Sequence, residues 1–74
     1  MKYQPETLAI KAGEIVVWEN HDLVPHTVTP FETEAIDAGK SFRYRFKTST
    51  ATARTIHYFC RFHPMMKGTI IVSP

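Results

Sequence analysis

The sequence predicts an all-β fold from three observations. Apolar and polar residues alternate instead of recurring at intervals of three and four, short runs rich in β-branched and aromatic residues fill most of the chain, and Gly or Pro turns separate these runs. Six or seven short strands of this kind are typical of a sandwich or a barrel. Because 74 residues suffice for one core only, we expect a single domain over residues 1–74.

The first half of the chain contains three predicted strands. Leu8 and Ile10 alternate with polar neighbours and precede a Gly-centred turn, which predicts a hairpin with the next strand. Residues 15–18 are continuously apolar, which is typical of a central strand buried on both faces. A short strand is expected over residues 26–29, and residues 31–38 are expected to be irregular.

The second half begins with a strongly alternating segment, residues 41–47. Phe42, Tyr44 and Phe46 alternate with basic residues, so a strand turns the aromatic rings to the core and the positive charges to water. That separation argues against a platform for single-stranded nucleic acid, which needs rings and cations on one face. Further strands are expected at 55–60 and 68–73, with a loop at 61–67 and an undecided boundary at 48–54.

Composition excludes several classes of protein. The single cysteine, Cys60, excludes an internal disulfide, a zinc ribbon and c-type haem attachment. A formal charge of +2 is too small to imply a nucleic-acid partner. No apolar run approaches the length of a membrane span, and no signal-peptide core follows the first residues.

The stretch CRFHPMM, residues 60–66, places three kinds of donor side chain in one short segment. Cys60, His63 and Met66 follow one another at intervals of three, and Pro64 restricts the shape of the loop between them. A buried inert cysteine is the ordinary alternative, and a catalytic cysteine is disfavoured because no acyl-transfer signature is present. Two imidazoles, a thiolate and a weak thioether suit copper, whereas a thioether adds little to a zinc site.

A copper site of that kind needs a second histidine. His26 is the best candidate because it begins a strand that is expected to lie beside the one ending at Cys60. His21 follows a strand exit and is expected to be solvated, and His57 faces away from Cys60 by the strand period of two.

Two segments together identify a resemblance. VVWENHDLVPHTVT (16–29) and FCRFHPMMKGTIIV (59–72) resemble the cupredoxins, the small blue-copper proteins, and are most similar to the amicyanin and plastocyanin type with the short Cys-x2-His-x2-Met loop. The resemblance implies a cupredoxin-like Greek-key β-sandwich that binds one type 1 copper ion. It implies four metal ligands: His26, Cys60, His63 and, axially, Met66.

Two positions near these ligands differ from the family pattern. Met65 stands where relatives carry an aromatic residue beside the metal, and is expected to be a cover residue. Thr27 stands where relatives carry an asparagine that ties the ligand loop to its neighbouring strand. The resemblance implies that the Thr27 N–H reaches the Cys60 sulfur, and we expect its hydroxyl to replace the missing amide link.

The resemblance also implies a function. We expect a one-electron carrier that cycles between Cu(I) and Cu(II), is not an enzyme, works in the periplasm or elsewhere outside the cytoplasm, and exchanges electrons through His63. Redox partners are expected to dock on an apolar patch around His63, with Arg61 and Lys67 steering acidic ones. Relatives carry a strand before Tyr3 that this sequence does not fully contain, so an open sheet edge and some homo-oligomer are expected. A copper carrier or storage module without redox turnover is the alternative, and a metal-free binding module is a third.

Overall fold

The computed structural model describes residues 2–47 and 52–74, and within these ranges the chain forms seven strands and no helix. In chain order the strands are β1 (Thr7–Lys11), β2 (Ile15–Glu19), β3 (His26–Val28), β4 (Glu32–Ile36), β5 (Ser41–Arg45), β6 (Arg54–Cys60) and β7 (His63–Ser73). The all-β prediction is therefore confirmed. Of the undecided boundary at 48–54, residues 48–51 lie outside the described residues, and its last residue, Arg54, begins β6. No helix in the described residues is long and apolar enough to cross a membrane.

The strands form three small hydrogen-bonded sheets. β7 lies between β1, to which it is parallel, and β6, to which it is antiparallel. β2 pairs with β5, and β3 pairs with β4. A bridge between Thr29 and Phe59, with both backbone hydrogen bonds at 2.9–3.0 Å, joins the end of β3 to β6. This bridge brings the two segments that contain His26 and Cys60 side by side.

The core is formed by alternate side chains of these strands. Its buried apolar members are Tyr3, Ile10, Val16, Val28, Ile36, Phe46, Tyr58, Cys60, Met66, Ile70 and Val72. Aromatic rings pack within this core, with Tyr58 edge-on to both Tyr3 and Trp18 at centroid distances of 4.6 and 5.6 Å. The two most buried aliphatic side chains, Val28 and Ile70, come from the strands on either side of β6. Two of the candidate metal ligands, Cys60 and Met66, are therefore part of the packed core.

Two predictions about β1 and β2 are wrong. The turn between them exists, with Gly13 at φ 93°, but the strands diverge to different partners and form no hairpin. β2 is not buried on both faces either, because Ile15 and Val17 are 44% and 43% exposed. In the described residues β2 pairs with β5 alone, and its continuous apolar run reflects one buried face and one solvated apolar face.

Two segments expected to be irregular are strands. Residues 31–38 contain β4, which pairs with β3 through His26 and Val28. The predicted loop at 61–67 is reduced to a two-residue turn, because β7 already begins at His63. Most of the predicted loop is an irregular part of β7, because the register shifts there. Between the pairs Cys60↔His63 and Phe59↔Lys67, β7 advances four residues while β6 advances one. Residues 64–66 thus bulge from the ladder and have no register partner on β6.

Candidate metal centre

Cys60 ends β6 with its side chain fully buried. The strand alternation places Tyr58 and Cys60 on the inner face and leaves His57 exposed, as predicted. The thiol is free, and it lies under the turn that leads into β7. A buried sulfur at a strand end is the fixed point around which the other candidate ligands are arranged.

His26 lies against that sulfur. It is 5% exposed at the start of β3, and its Nδ1 is 3.6 Å from Cys60 Sγ. Nitrogen and sulfur donors stand about 2.0–2.3 Å from a bound metal ion, so two ligands of one ion are roughly 3–4 Å apart. The other ring nitrogen, Nε2, is 2.7 Å from Oδ2 of Asp22. This contact with a carboxylate fixes the ring orientation and leaves Nδ1 facing the sulfur.

The Thr27 N–H donates to Cys60 Sγ at 3.4 Å, as the resemblance implied. Burial works against ionisation of the thiol, but hydrogen bonds from Thr27 and His26, and from the backbone N–H groups of Phe62 and His63, outweigh it. The net result is a lowered pKa for Cys60. A thiol that ionises more readily is better suited to metal binding, since the thiolate is the ligand.

The alternation of β7 separates the two methionines, because Met66 belongs to the same buried series as Gly68, Ile70 and Val72. Met66 is 6% exposed and Met65 is 91% exposed, so only Met66 turns toward the core beneath the site. Met66 and His26 line the same cavity of about 460 Å³. The ring of His63 is partly exposed and lies edge-on to the His26 ring, with 5.4 Å between centroids. His26, Cys60 and His63 are thus brought together, and Met66 lines a cavity that His26 also lines.

These contacts are pairwise. Across residues 2–47 and 52–74, no three His, Cys, Asp or Glu side chains are already arranged around one metal position. The remaining histidines lie elsewhere: the His21 side chain is 82% exposed beside Glu19, and His57 contacts the Thr69 hydroxyl at 3.2 Å on the outer face.

Sequence reasoning missed three residues that support the site. Asp22 lies four residues before His26 in a polar loop, and that i, i+4 spacing was the available signal. Thr29 contacts the Thr27 hydroxyl at 3.0 Å. Tyr3 donates its hydroxyl to the Thr27 carbonyl from a segment that the sequence left unassigned. The contacts of Thr29 and Tyr3 depend on how the folded chain packs around Thr27, so no local sequence pattern predicts them.

A family model described as copper binding proteins, plastocyanin/azurin family, matches residues 1–73. The chain belongs to this family. It is a cupredoxin of the amicyanin type, and the cupredoxin-like β-sandwich predicted from the sequence is confirmed. Among curated relatives, amicyanin from Paracoccus versutus is 33% identical over 82 aligned positions, which cover 99% of this chain and 59% of that protein. Plastocyanin from Scenedesmus fuscus is 33% identical, with 96% of this chain and 86% of that protein covered.

Solved structures agree with these relatives. The crystal structure of the P. versutus amicyanin superposes with a TM-score of 0.83 at 32% identity, covering 99% of this chain and 74% of that one. A purple cupredoxin from Nitrosopumilus maritimus superposes with a TM-score of 0.82 at 30% identity, covering 96% and 81%. This cupredoxin spans about three fifths of the length of the P. versutus amicyanin sequence. Copper is the cofactor of the family.

The donor chemistry of the site fits copper. Two imidazoles, a thiol of lowered pKa and a buried thioether form a mixed set of nitrogen and soft sulfur donors, which favours copper over the harder cations. The resemblance implies an apolar surface around the partly exposed His63, here called the His63 patch. Its exposed members are Leu23, Val24, Pro25, Phe62, Pro64 and Met65.

Proposed function

We propose that this cupredoxin is a one-electron carrier whose type 1 copper ion is held by His26, Cys60, His63 and, axially, Met66. The observation that supports it most is the 3.6 Å approach of His26 Nδ1 to the buried Cys60 sulfur, from strands that are 34 residues apart in the sequence. Copper, when bound, supplies a Cu(I)/Cu(II) couple. The residues of the chain determine how the ion is bound and by which route electrons reach it.

The protein restrains its donors before any metal arrives. Asp22 holds the His26 ring, the Thr27 N–H contacts the Cys60 sulfur, and the alternation of β7 turns Met66 inward. Donors held in place by a packed core and by hydrogen bonds move little when the charge of the centre changes. Small rearrangement favours fast, reversible electron transfer, and we propose no catalytic role.

His63 is the proposed exit for the electron. Of the two histidines it is the partly exposed one, whereas His26 is buried behind Asp22. Leu23 and Met65, at 96% and 91% exposure, are the most exposed members of the His63 patch around it. A small apolar contact area suits brief encounters with redox proteins rather than stable complexes.

Arg61 and Lys67 are proposed to steer acidic partners to the His63 patch. Lys67 is exposed, and the Arg61 guanidinium lies 4.7 Å from the Phe62 ring centroid while its Nε donates to the Thr33 carbonyl at 2.7 Å. Arg61 therefore presents its charge from a held position. Charge reversal at both residues should slow transfer to an acidic partner at low salt, with the difference fading as ionic strength rises. Rates that ignore both changes would refute steering.

One visible spectrum tests the main proposal. Wild-type protein loaded with Cu(II) should show strong visible absorption from thiolate charge transfer and should reduce reversibly at an electrode. Cys60→Ser should lose the colour, and His57→Ala, a histidine on the outer face, should keep it. Tight Cu(I) binding without colour or a reversible couple would instead support the copper carrier or storage module. Failure to bind copper in either state would support a metal-free binding module.

Self-association through a sheet edge is a further part of the proposal. In the described residues β1 pairs with β7 alone and β2 with β5 alone, and residues of both strands line the cavity of about 460 Å³. Val17 on β2 is half-exposed, and an apolar side chain on a strand with an unpaired edge favours pairing with a second copy of the chain. Sedimentation should show a concentration-dependent dimer that Val17→Lys weakens and that Thr55→Lys, at an exposed position of β6, leaves intact. A strict monomer at all concentrations would end this idea.

We also propose that the protein works outside the cytoplasm, as the resemblance implies. The proposal is supported by the amicyanin and plastocyanin relatives. Fractionation of the native cells, with copper content measured in each fraction, tests it. Recovery of the folded copper protein from the cytoplasmic fraction would contradict it.

A further inference from the structure

Thr27 is fully buried beside the candidate metal ligands, and each of its polar groups has a hydrogen-bond partner. Its N–H donates to the Cys60 sulfur, and its carbonyl accepts the hydroxyl of Tyr3. Its Oγ1 accepts the backbone N–H of Arg61 at 2.9 Å and lies 3.0 Å from Oγ1 of Thr29. Arg61 is the first residue of the turn that carries the chain from Cys60 to His63. Thr27 therefore ties that turn to β3.

The direction of the Thr27–Thr29 contact follows from proton accounting. A hydroxyl has one hydrogen and two acceptor sites, and one acceptor site of Thr27 is used by the Arg61 N–H. The Thr27 side chain is 0% exposed, so its hydrogen has no access to bulk water and must be given to a protein acceptor. Thr29 is partly exposed and can give its own hydrogen to solvent. Thr27 is accordingly the donor and Thr29 the acceptor.

We propose that Thr29 is a positioning residue for the metal centre: by accepting the Thr27 hydroxyl hydrogen, it aims a Thr27 lone pair at the Arg61 N–H and so fixes the start of the ligand turn. Without that acceptor, the Thr27 hydroxyl must rotate to find another partner or remain unsatisfied. Either change weakens the link to Arg61. Both hydroxyls are therefore needed to hold the Arg61 N–H in place. The inference rests on the copper site proposed above and deepens it.

The test compares Thr29→Val with Thr29→Ser and with Thr55→Val, the same change at an exposed position of β6. The first readout is amide hydrogen exchange of Arg61 in the metal-free protein, which does not depend on copper. Thr29→Val should accelerate exchange at Arg61 at least about tenfold more than at the β6–β7 amides, and Thr29→Ser should restore wild-type protection. The control should not change it.

The second readout is the copper-loaded protein. Thr29→Val should weaken Cu(I) binding about tenfold, the lower end of what supporting residues of metal ligands contribute, and should shift the reduction potential and the visible band. Thr29→Ser should return both values to wild type. If Thr29→Val does not fold, Thr29→Ala takes its place.

The outcomes separate the two proposals. Wild-type Arg61 exchange and unchanged copper binding in Thr29→Val would overturn the role of Thr29 while leaving the electron carrier intact. Accelerated Arg61 exchange in a protein whose Cu(II) form is colourless would support the tie and refute the carrier. Equal loss of protection at all β6–β7 amides would reduce Thr29 to a general stabilising residue and overturn the inference.

Discussion

Thr27 donates its backbone N–H to the Sγ of Cys60 across 3.4 Å, although 33 residues separate the two in the sequence. The contact joins β3 to the end of β6 and helps to lower the pKa of the thiol. It places the sulfur where His26 can reach it from the preceding position.

The two methionines should respond differently to the same substitution. Met66→Leu removes a buried thioether, and because a weak axial donor stabilises Cu(II) more than Cu(I), the reduction potential should rise. Met65→Leu alters a 91% exposed side chain and should leave the potential unchanged. Voltammetry of both variants checks the assignment. A shift in Met65→Leu with none in Met66→Leu would reverse it.

Removal of copper should lower stability markedly. The proposed ligands come from β3, β6 and β7, so the unfolded chain is expected to bind copper less well than the folded one. At free copper about a thousandfold above the Kd, binding adds about 4 kcal/mol, which raises the Tm of a domain this small by roughly 20 °C. Calorimetry of the metal-free and loaded forms measures the difference. Equal melting temperatures would contradict the proposed ligand set.

Tyr3→Phe should destabilise the metal-free protein. The substitution removes the hydroxyl that donates to the Thr27 carbonyl and leaves that buried acceptor without its partner, at an expected loss of about 1–3 kcal/mol in the free energy of unfolding. Tyr44→Phe, at a 38% exposed tyrosine on β5, should cost less than about 0.5 kcal/mol. Denaturant titrations of both variants give the comparison, and equal losses would count against the Tyr3 bond.

Alkaline pH should weaken the fold through buried tyrosines. Burial raises the pKa of Tyr3 and of Tyr58 above the ordinary value of about 10. Below pH 10 both states are protonated and the contribution is constant. Above it the unfolded chain ionises first and binds fewer protons, so stability falls with pH by at most about 1.4 kcal/mol per unit for each tyrosine. Unfolding of the metal-free protein between pH 9 and 12 measures this slope, which Tyr3→Phe should reduce. An unchanged slope in that variant would exclude Tyr3 as a source.

Gly68→Ala should be more damaging than a substitution at another glycine. Gly68 pairs with Tyr58 across β6 and β7, and a Cβ at this position would overlap the Tyr58 ring. Displacing a core ring should cost about 2–3 kcal/mol and disturb Cys60, two residues along the strand. Gly39→Ala meets no neighbouring atoms but has φ 78°, so about 1 kcal/mol of backbone strain is expected. Denaturant unfolding ranks the two variants, and the opposite order would contradict the packing argument.

Alternation predicted most of the strands correctly, because the inward or outward direction of a side chain is a local property of extended backbone. It assigned Cys60 and Tyr58 to the core and His57 to the surface. It failed where pairing decides structure: β1 and β2 read as a hairpin, yet each is paired with a strand from the second half of the chain. The bulge at 64–66 was hidden for the same reason, since a register shift is defined only relative to a partner strand.

The sequence by itself determined the donor types and their spacing in CRFHPMM, and it singled out His26 as their distant companion. Tertiary structure alone decided how these donors are held. Three contacts hold them, and each joins atoms that only the folded chain brings together. Asp22 contacts the His26 ring, the Thr27 N–H donates to the Cys60 sulfur, and the hydroxyls of Thr27 and Thr29 contact each other. The physical reason is that spacing along a strand fixes direction but not neighbours. Neighbours depend on which strands the core brings together, and here that pairing turns two sulfur donors and two imidazoles into one candidate site.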